Sequence, residues 1–252
     1  FAETDSDTNQ WKPKTAEDIK AAVTFGVNGF YLPFSNDALA TSFVDTGNGG
    51  RHTVTANGDV HTDTTIKKIG TASAQFDGTG DCLSVPDNSD FDFGAGEFNI
   101  ECWAYFQGSS LSNGVDIVTK YDDHTQNQRC WGIKYPASNN LEFRYSTNGS
   151  SWAAELQFSW TPSLNTWYHI AVSRDGVGNI RAFIDGTQIG STQQVTDTFY
   201  NSTALVVMGA DMYNGSLNYT NALNGYMDEI RICNKAKYTS NFTAPTTALE
   251  SD

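Results

Sequence analysis

From Phe25 onward the chain alternates apolar and polar residues in short runs, at the spacing of strands rather than helices. The runs are GFYLPF, QFDG, DCLSV, FNIECWAYF, DIVTK, RCWGIKY, LEFRYS, WYHIAVSR, NIRAFID, ALVVMGA and GYMDEIRIC, separated by clusters of Gly, Asn, Asp and Ser. In a strand successive side chains point to opposite faces, so alternation over about four to eight residues marks a half-buried strand. No helical pattern of about ten residues lies between consecutive runs, which argues against parallel βαβ units. Many short strands at regular spacing predict an all-β fold, a two-sheet antiparallel jelly-roll sandwich.

The stretch WYHIAVSRDGVGNIRAFIDGTQIG, residues 167–190, shows the pattern most fully. Asp175-Gly176 and Asp185-Gly186 suit tight turns, because Gly supplies positive φ without a steric cost and Asp tolerates it. Ile170 and Val172 then share one strand face, with His169 and Ser173 on the other; Ile180, Ala182 and Ile184 face opposite to Arg181 and Phe183. The result is a three-strand antiparallel meander in which Asp175 and Asp185 form turns and do no catalysis.

Residues 1–24 read differently. FAETDSDTNQWKPK is polar and irregular, and it leads into TAEDIKAAV, where Thr15 can cap a short helix that Asp18 answers from its third position. A helix of two turns is marginal alone. The segment is therefore expected to dock on a neighbour or act as a connector, ahead of one jelly-roll domain over residues 25–252.

Charge narrows the choice of partner. The 252 residues carry a formal net charge of −14, which repels phosphate backbones and anionic membrane surfaces. Nucleic acid and membrane are excluded as partners on that ground, and no run of about 18 apolar residues is present to span a bilayer. The sequence opens on Phe1, and FAETDSDTNQ lacks the basic-then-apolar order of an intact signal peptide, so the chain reads as processed or as part of a longer protein. Cys82, Cys102, Cys130 and Cys233 form no CxxC pair, which rules out zinc-finger and redox-motif spacing. Each sits in an apolar, strand-like context that favours free thiols packed as small hydrophobes, with two disulfides left open.

Catalytic constellations are missing from the pattern. A glycosidase needs two carboxylates a few ångströms apart, and no E-x-D-x-x-E strand occurs. Asp228 and Glu229, adjacent on a strand, are expected on opposite faces. His52, His61, His124 and His169 show no HxxxH spacing, and His169 is expected to be a structural hydrogen-bonding residue. The acidic run DNSDFDFGAGE is similar to an EF-hand loop, but its glycine is displaced and its Glu is out of register. It reads as an acidic loop ending in a Gly turn, and the chain as a non-enzyme.

Three blocks carry a resemblance. IGTASAQFDGTGDCLSVPDNSDFDFGAGEFNIECWAYF, WYHIAVSRDG with RAFIDG, and LNGYMDEIRICNKAKYTSNFTAP resemble, in that order, the opening block, central hairpin and closing strand of laminin-G-like, concanavalin-A-like lectin domains. Cys82 departs from the aromatic residue usual at its position. The upstream phrase FGVNGFYLPFSNDA resembles the first strand of such domains in tail-fibre and other virion proteins of bacteriophages. The resemblance implies a binding or structural module at a virion surface, meeting glycans of a host cell and other virion proteins, with trimers expected by analogy to fibres. A secreted bacterial or eukaryotic adhesion or carbohydrate-binding module is the alternative. The sequons at Asn148, Asn201, Asn214, Asn218 and Asn241 would accept glycans in a eukaryotic secreted protein and are turn-rich sequence in a phage protein.

The candidate site follows from the same resemblance together with composition. Trp103, Trp167 and Tyr168 lie in strand blocks and are expected in the core. Trp152, Tyr213 and Tyr219 sit among Gly, Asn and Ser, with Asp211 and Asn218 beside them. An exposed ring beside amides and carboxylates suits a sugar, which stacks one face and offers its hydroxyls to the polar groups. Some relatives hold a structural calcium near the closing strand, and Asp228 is the matching residue here; a buried Asp that fixes the strand end is the equal alternative.

Overall fold

The computed structural model describes residues 2–4, 11–13, 29–34, 38–47, 52–124 and 127–249. Near the N-terminus β1 (Ala2–Thr4) pairs antiparallel with β2 (Trp11–Pro13), in a segment read from the sequence as irregular. The helix expected over TAEDIKAAV lies outside the described residues.

The rest is a sandwich of two sheets. Sheet I runs, edge to edge, β12 (Ala154–Ser159), β11 (Asn140–Tyr145), β10 (Gln128–Tyr135), β9 (Val115–Asp123), β16 (Val206–Met208), β7 (Cys82–Val85) and β4 (Thr55–Asn57). Beyond the main path β17 (Asp211–Tyr213) joins the end of β9 in parallel, and β18 (Ser216–Asn218) folds back on β17. Sheet II runs β15 (Thr187–Gln194), β14 (Asn179–Ile184), β13 (Trp167–Arg174), β8 (Phe98–Phe106), β19 (Asn224–Cys233), β6 (Ser73–Asp77) and β5 (His61–Asp63), with β3 (Gly29–Leu32) beside the second half of β19. Every other pairing in the two sheets is antiparallel, as the jelly-roll reading requires. All eleven apolar runs of the sequence coincide with strands; β4, β5, β12, β17 and β18 are short or polar and gave no such signal.

One apolar core fills the space between the sheets. Its centre is an aromatic stack in which Phe93 lies 4.8 Å from Phe98 and 5.3 Å from Trp131, and Phe98 lies 5.3 Å from Phe143. These rings come from both sheets and the loop between them. Each buried Phe contributes on the order of 1.5–3 kcal/mol through the apolar surface withdrawn from water. Cys82, Cys102, Cys130 and Cys233 are all free and buried, and burial pushes the Cys82 thiol up to about 11.

Two polar devices lock this frame. The first is a β-bulge in β19: opposite Cys102 of β8 stand both Glu229 and Ile230, and Glu229 adopts φ +51°. The bulge sits where the neighbour of β19 changes from β6 to β3. It also alters the expected simple opposition of Asp228 and Glu229. Asp228 turns to the Lys68 and Ile69 amides at 3.0 and 2.9 Å, while Glu229 accepts from the Tyr31 hydroxyl and the Leu249 amide, each at 2.6 Å.

The second device is Glu101, 1% exposed. It accepts from Asn99 Nδ2 (2.7 Å), Arg231 Nε and Nη2 (2.8 and 2.6 Å) and the Tyr238 hydroxyl (2.9 Å), and it lies 2.9 Å from His169 Nε2. Burial pushes the Glu101 carboxyl up, but the His169 hydrogen bond and the Arg231 charge outweigh it and hold the group below its usual range. His169 is thus structural, as its strand position predicted. The acidic run after Val85 is also taken up by protein groups. Asp87 and Asp92 pair with the buried Lys120 at 2.9 and 3.3 Å, and Asp90 lies 3.2 Å from His52 Nε2.

The β13–β14–β15 meander forms as expected, except that in its first turn the positive φ falls on Gly178 (+85°) and not on Gly176. Asp175 accepts the Val177 and Asn179 amides and pairs with Arg181 at 2.9 Å, and Asp185 accepts the His169 amide at 2.8 Å. Gly186 has a second reason to be glycine. Besides its φ of +79°, a Cβ there would stand 2.0 Å from the Phe242 carbonyl of the C-terminal tail. At Gly176 a Cβ would meet only the flexible end of Glu97. Urea unfolding of the two alanine variants tests this: Gly186→Ala should cost more than about 1 kcal/mol and loosen the tail to proteolysis. Gly176→Ala should stay within roughly 0.5 kcal/mol of the parent.

Candidate functional site

Alternation on sheet I creates a polar outer face. Ile133 and Tyr135 of β10 join the core, so Lys134 between them points away from it. Leu141, Phe143 and Tyr145 of β11 are likewise core residues, which turns Glu142 and Arg144 outward. On β9 Asp116 lies between the core residues Val115 and Ile117, and its Oδ1 accepts from the Tyr121 hydroxyl at 3.0 Å. Lys134 Nζ reaches the same oxygen at 3.2 Å.

The β17–β18 hairpin forms a wall beside this face. Its turn, Asn214-Gly215, has positive φ at both residues, the geometry of a tight hairpin turn. The Gly215 amide donates to Asp122 Oδ2 at 2.7 Å and the Asn214 amide to the Asp123 carbonyl at 3.1 Å, so the hairpin is bound to the end of β9. Tyr213 stands at its tip, 46% exposed, with its ring 5.0 Å from the ring of His124.

Between wall and face lies a cavity of about 320 Å³, lined by Tyr121, Asp123, Lys134, Arg144, Asp211, Tyr213, Asn218, Thr220 and Asn221. Asp211 is a strongly perturbed acid of this lining. Burial and the nearby Asp116 charge raise its carboxyl to about 7, against the pull of an Asn218 Nδ2 hydrogen bond at 2.7 Å. Burial and the same two carboxylates push the Tyr121 hydroxyl well above its ordinary value, so it stays a donor. Arg144 is held by Glu142 at 2.5 Å and Glu155 at 3.4 Å, and its guanidinium lies 4.9 Å over the Trp152 ring. Trp152 in turn meets Tyr121 edge-on at 5.0 Å.

Three of the sequence candidates, Asp211, Tyr213 and Asn218, therefore line one cavity. Trp152 supports it from behind Arg144 and Tyr121. Tyr219 does not belong to it: half-buried, it packs on Cys82, Val207 and Ala210, with its hydroxyl 4.0 Å from the Cys82 sulfur. Tyr121, Lys134 and Arg144 escaped the sequence reading because they sit inside strand runs; their signal is a polar residue at each outward position of an otherwise apolar strand. The Asn214-Gly215 pair was a further unused hairpin signal.

Asp228 lies in the other sheet. A calcium ion takes roughly six to eight oxygen ligands, whereas Asp228 Oδ2 faces two backbone N–H groups and the adjacent Glu229 is occupied by Tyr31 and Leu249. Among the described residues the carboxylates grouped closely enough to share an ion are Asp59, Asp77 and Asp81, without Asp228. The two amides on Asp228 Oδ2 suit the strand-fixing role, while its Oδ1 is buried without a hydrogen-bond partner among the described residues.

The sequence matches the family model of the concanavalin A-like lectin/glucanases superfamily over residues 77–240. The chain belongs to this superfamily. No curated protein matches it. Among solved structures, the lectin-like fold is shared with the binding domain of Paraclostridial Mosquitocidal Protein 1 (TM-score 0.60, 16% identity, 83% of this chain and 49% of that one). It is shared too with the botulinum neurotoxin serotype D ligand-binding domain in complex with N-acetylneuraminic acid (TM-score 0.60, 15% identity, 83% and 48%). A third is botulinum neurotoxin type C, whose cell entry depends on two ganglioside molecules (TM-score 0.58, 21% identity, 84% and 49%). The chain spans about half the length of these structures.

The Asp211 carboxyl binds its proton more tightly in this lectin-like fold than in the unfolded chain, where it titrates near 3.8. Its contribution to stability is greatest below about pH 4 and is lost as pH rises to about 7. Asp211→Asn keeps the shape and cannot ionise, so its unfolding midpoint should fall less than the parent's between those limits in a pH series. A slope equal to the parent's would place the titrating group elsewhere.

Proposed function

We infer that this chain is a non-catalytic glycan-binding module whose sugar enters the cavity on the outer face of sheet I, beside Tyr213. The observation that carries the reading is the meeting of an exposed aromatic ring with Asp211, Asn218, Lys134 and Arg144 around one opening. A few convergent polar groups beside an apolar surface are the usual make-up of a small-ligand site. A pyranose presents an apolar face to such a ring and hydroxyls to amides, carboxylates and cations. The superfamily, and the neurotoxin structures linked to N-acetylneuraminic acid and to gangliosides, support the same ligand class.

The biological setting we infer is host attachment at a bacteriophage virion surface, by copies of the chain assembled with other virion proteins. What supports it is the phrase FGVNGFYLPFSNDA, whose GFYL segment becomes β3. Mass spectrometry of purified particles should detect the chain. Its absence there would favour a secreted adhesion module, the second reading.

A glycan array tests the binding itself. The parent should retain a defined set of sugars, with or without a calcium chelator. Tyr213→Ala should lose at least tenfold in affinity for them, about 1.4 kcal/mol, whereas Tyr219→Ala should keep the affinity and lose only stability. An array without signal would sink the reading, and equal effects of the two variants would move the site.

A further inference from the structure

The charges around the cavity say which glycans it accepts. Three cations lie in or beside it, and each already has a carboxylate: Lys134 has Asp116, Arg144 has Glu142 and Glu155, and Arg129 has Asp123. Asp211 makes a fifth carboxylate. Among the described residues no cation lies within ion-pair distance of it; the neutral amide of Asn218 donates to its Oδ1, and the Tyr121 hydroxyl and the more distant charge of Lys134, itself paired with Asp116, act on it besides. Behind it Asp116 is fully buried, and its Oδ2 has no hydrogen-bond partner among the described residues. Carboxylates thus outnumber cations five to three at this site, in a chain of net charge −14.

An anionic sugar would have to compete with Asp116, Glu142 and Asp123 for cations that are already neutralised, and it would bring a like charge to Asp211. Leaving a charge poorly paired in a partly desolvated place costs several-fold to many-fold in affinity. An ammonium does the opposite, since it offers three donors and one positive charge to the carboxylate that has no cation at ion-pair distance among the described residues. The geometry points to a glycan carrying a free amino group, an unacetylated hexosamine, whose ammonium is held by Asp211 while Tyr213 covers the sugar ring. This specificity rests on the glycan-binding reading above and sets the chain apart from the neurotoxin domain solved with N-acetylneuraminic acid. Because Asp211 titrates near neutrality, the arriving ammonium displaces a proton, which leaves for the buffer.

Isothermal titration calorimetry on the full chain at pH 6, where the sugar amine is charged and Asp211 holds its proton, tests this with three probes: fully deacetylated chitotetraose, its N-acetylated counterpart and sialyllactose. The deacetylated sugar should bind at least tenfold more tightly than the N-acetylated one and release protons, seen as an enthalpy that changes with the buffer's ionisation heat. Sialyllactose should be the weakest. Asp211→Asn should abolish the tenfold preference and the proton release. Equal affinity for the two chitotetraoses, or tightest binding of sialyllactose, overturns the amino-sugar inference and leaves the glycan reading intact. Failure of all three probes overturns the inference as well, and only a silent glycan array would remove both. The comparison on the unmodified chain decides the matter even if Asp211→Asn folds poorly.

Discussion

A carboxylate taken out of water must find donors, and Glu101 finds them on three strands and the C-terminal tail. Asn99 lies on its own strand, His169 on β13, Arg231 on β19 and Tyr238 in the tail that crosses the sheet. Removing a single partner would leave a buried charge short of compensation, a far larger loss than the net worth of any one of these bonds. The central register of sheet II, the bulge that lets β19 pass from β6 to β3, and the seat of the tail on Gly186 are all tied to this group. The tail adds an aromatic clasp, with the Tyr238 and Phe242 rings stacked 3.5 Å apart and Phe183 packed against both.

The same physics produces opposite outcomes at other buried acids. Glu101 is pulled below its usual range because an arginine and a histidine outweigh its desolvation. Asp228 has backbone amides and the Glu229 charge beside it, and burial lifts it to about 7. Asp211 reaches about 7 as well, with Asp116 as its main charged neighbour. Donor number and charge, not burial alone, separate a carboxylate that staples the fold from one that stays able to change partners. Asp211 is the one of the three that lines an opening.

The cavity exists because sheet I is finished differently from sheet II. The outer face of sheet II at Glu101 is covered by the tail, so its polar groups are consumed internally. On sheet I the β17–β18 hairpin attaches in parallel to the end of β9 and leaves the strands beside it open. Asp122 and Asp123 hold the hairpin through backbone amides, which places Tyr213 over the opening without burying its ring.

Much of this molecule follows from local chemistry. Side-chain alternation, Asp-Gly turns and the closing MDEIRIC block specify strands, the meander and the superfamily, because those features depend on neighbours close along the chain. The candidate ring Tyr213 and its companions Asp211 and Asn218 were found for the same reason, as polar and aromatic residues in one turn-rich segment. Tyr219, six residues beyond Tyr213, packs away from the cavity, which composition cannot foresee because Cys82, distant in sequence, lies in the cluster that receives its ring. Lys134, Arg144 and Tyr121 come together only when β9, β10 and β11 are set side by side in register. The charge excess at Asp211 likewise depends on Asp116, nearly a hundred residues away, since a pKa is set by distances in space and by the exclusion of water.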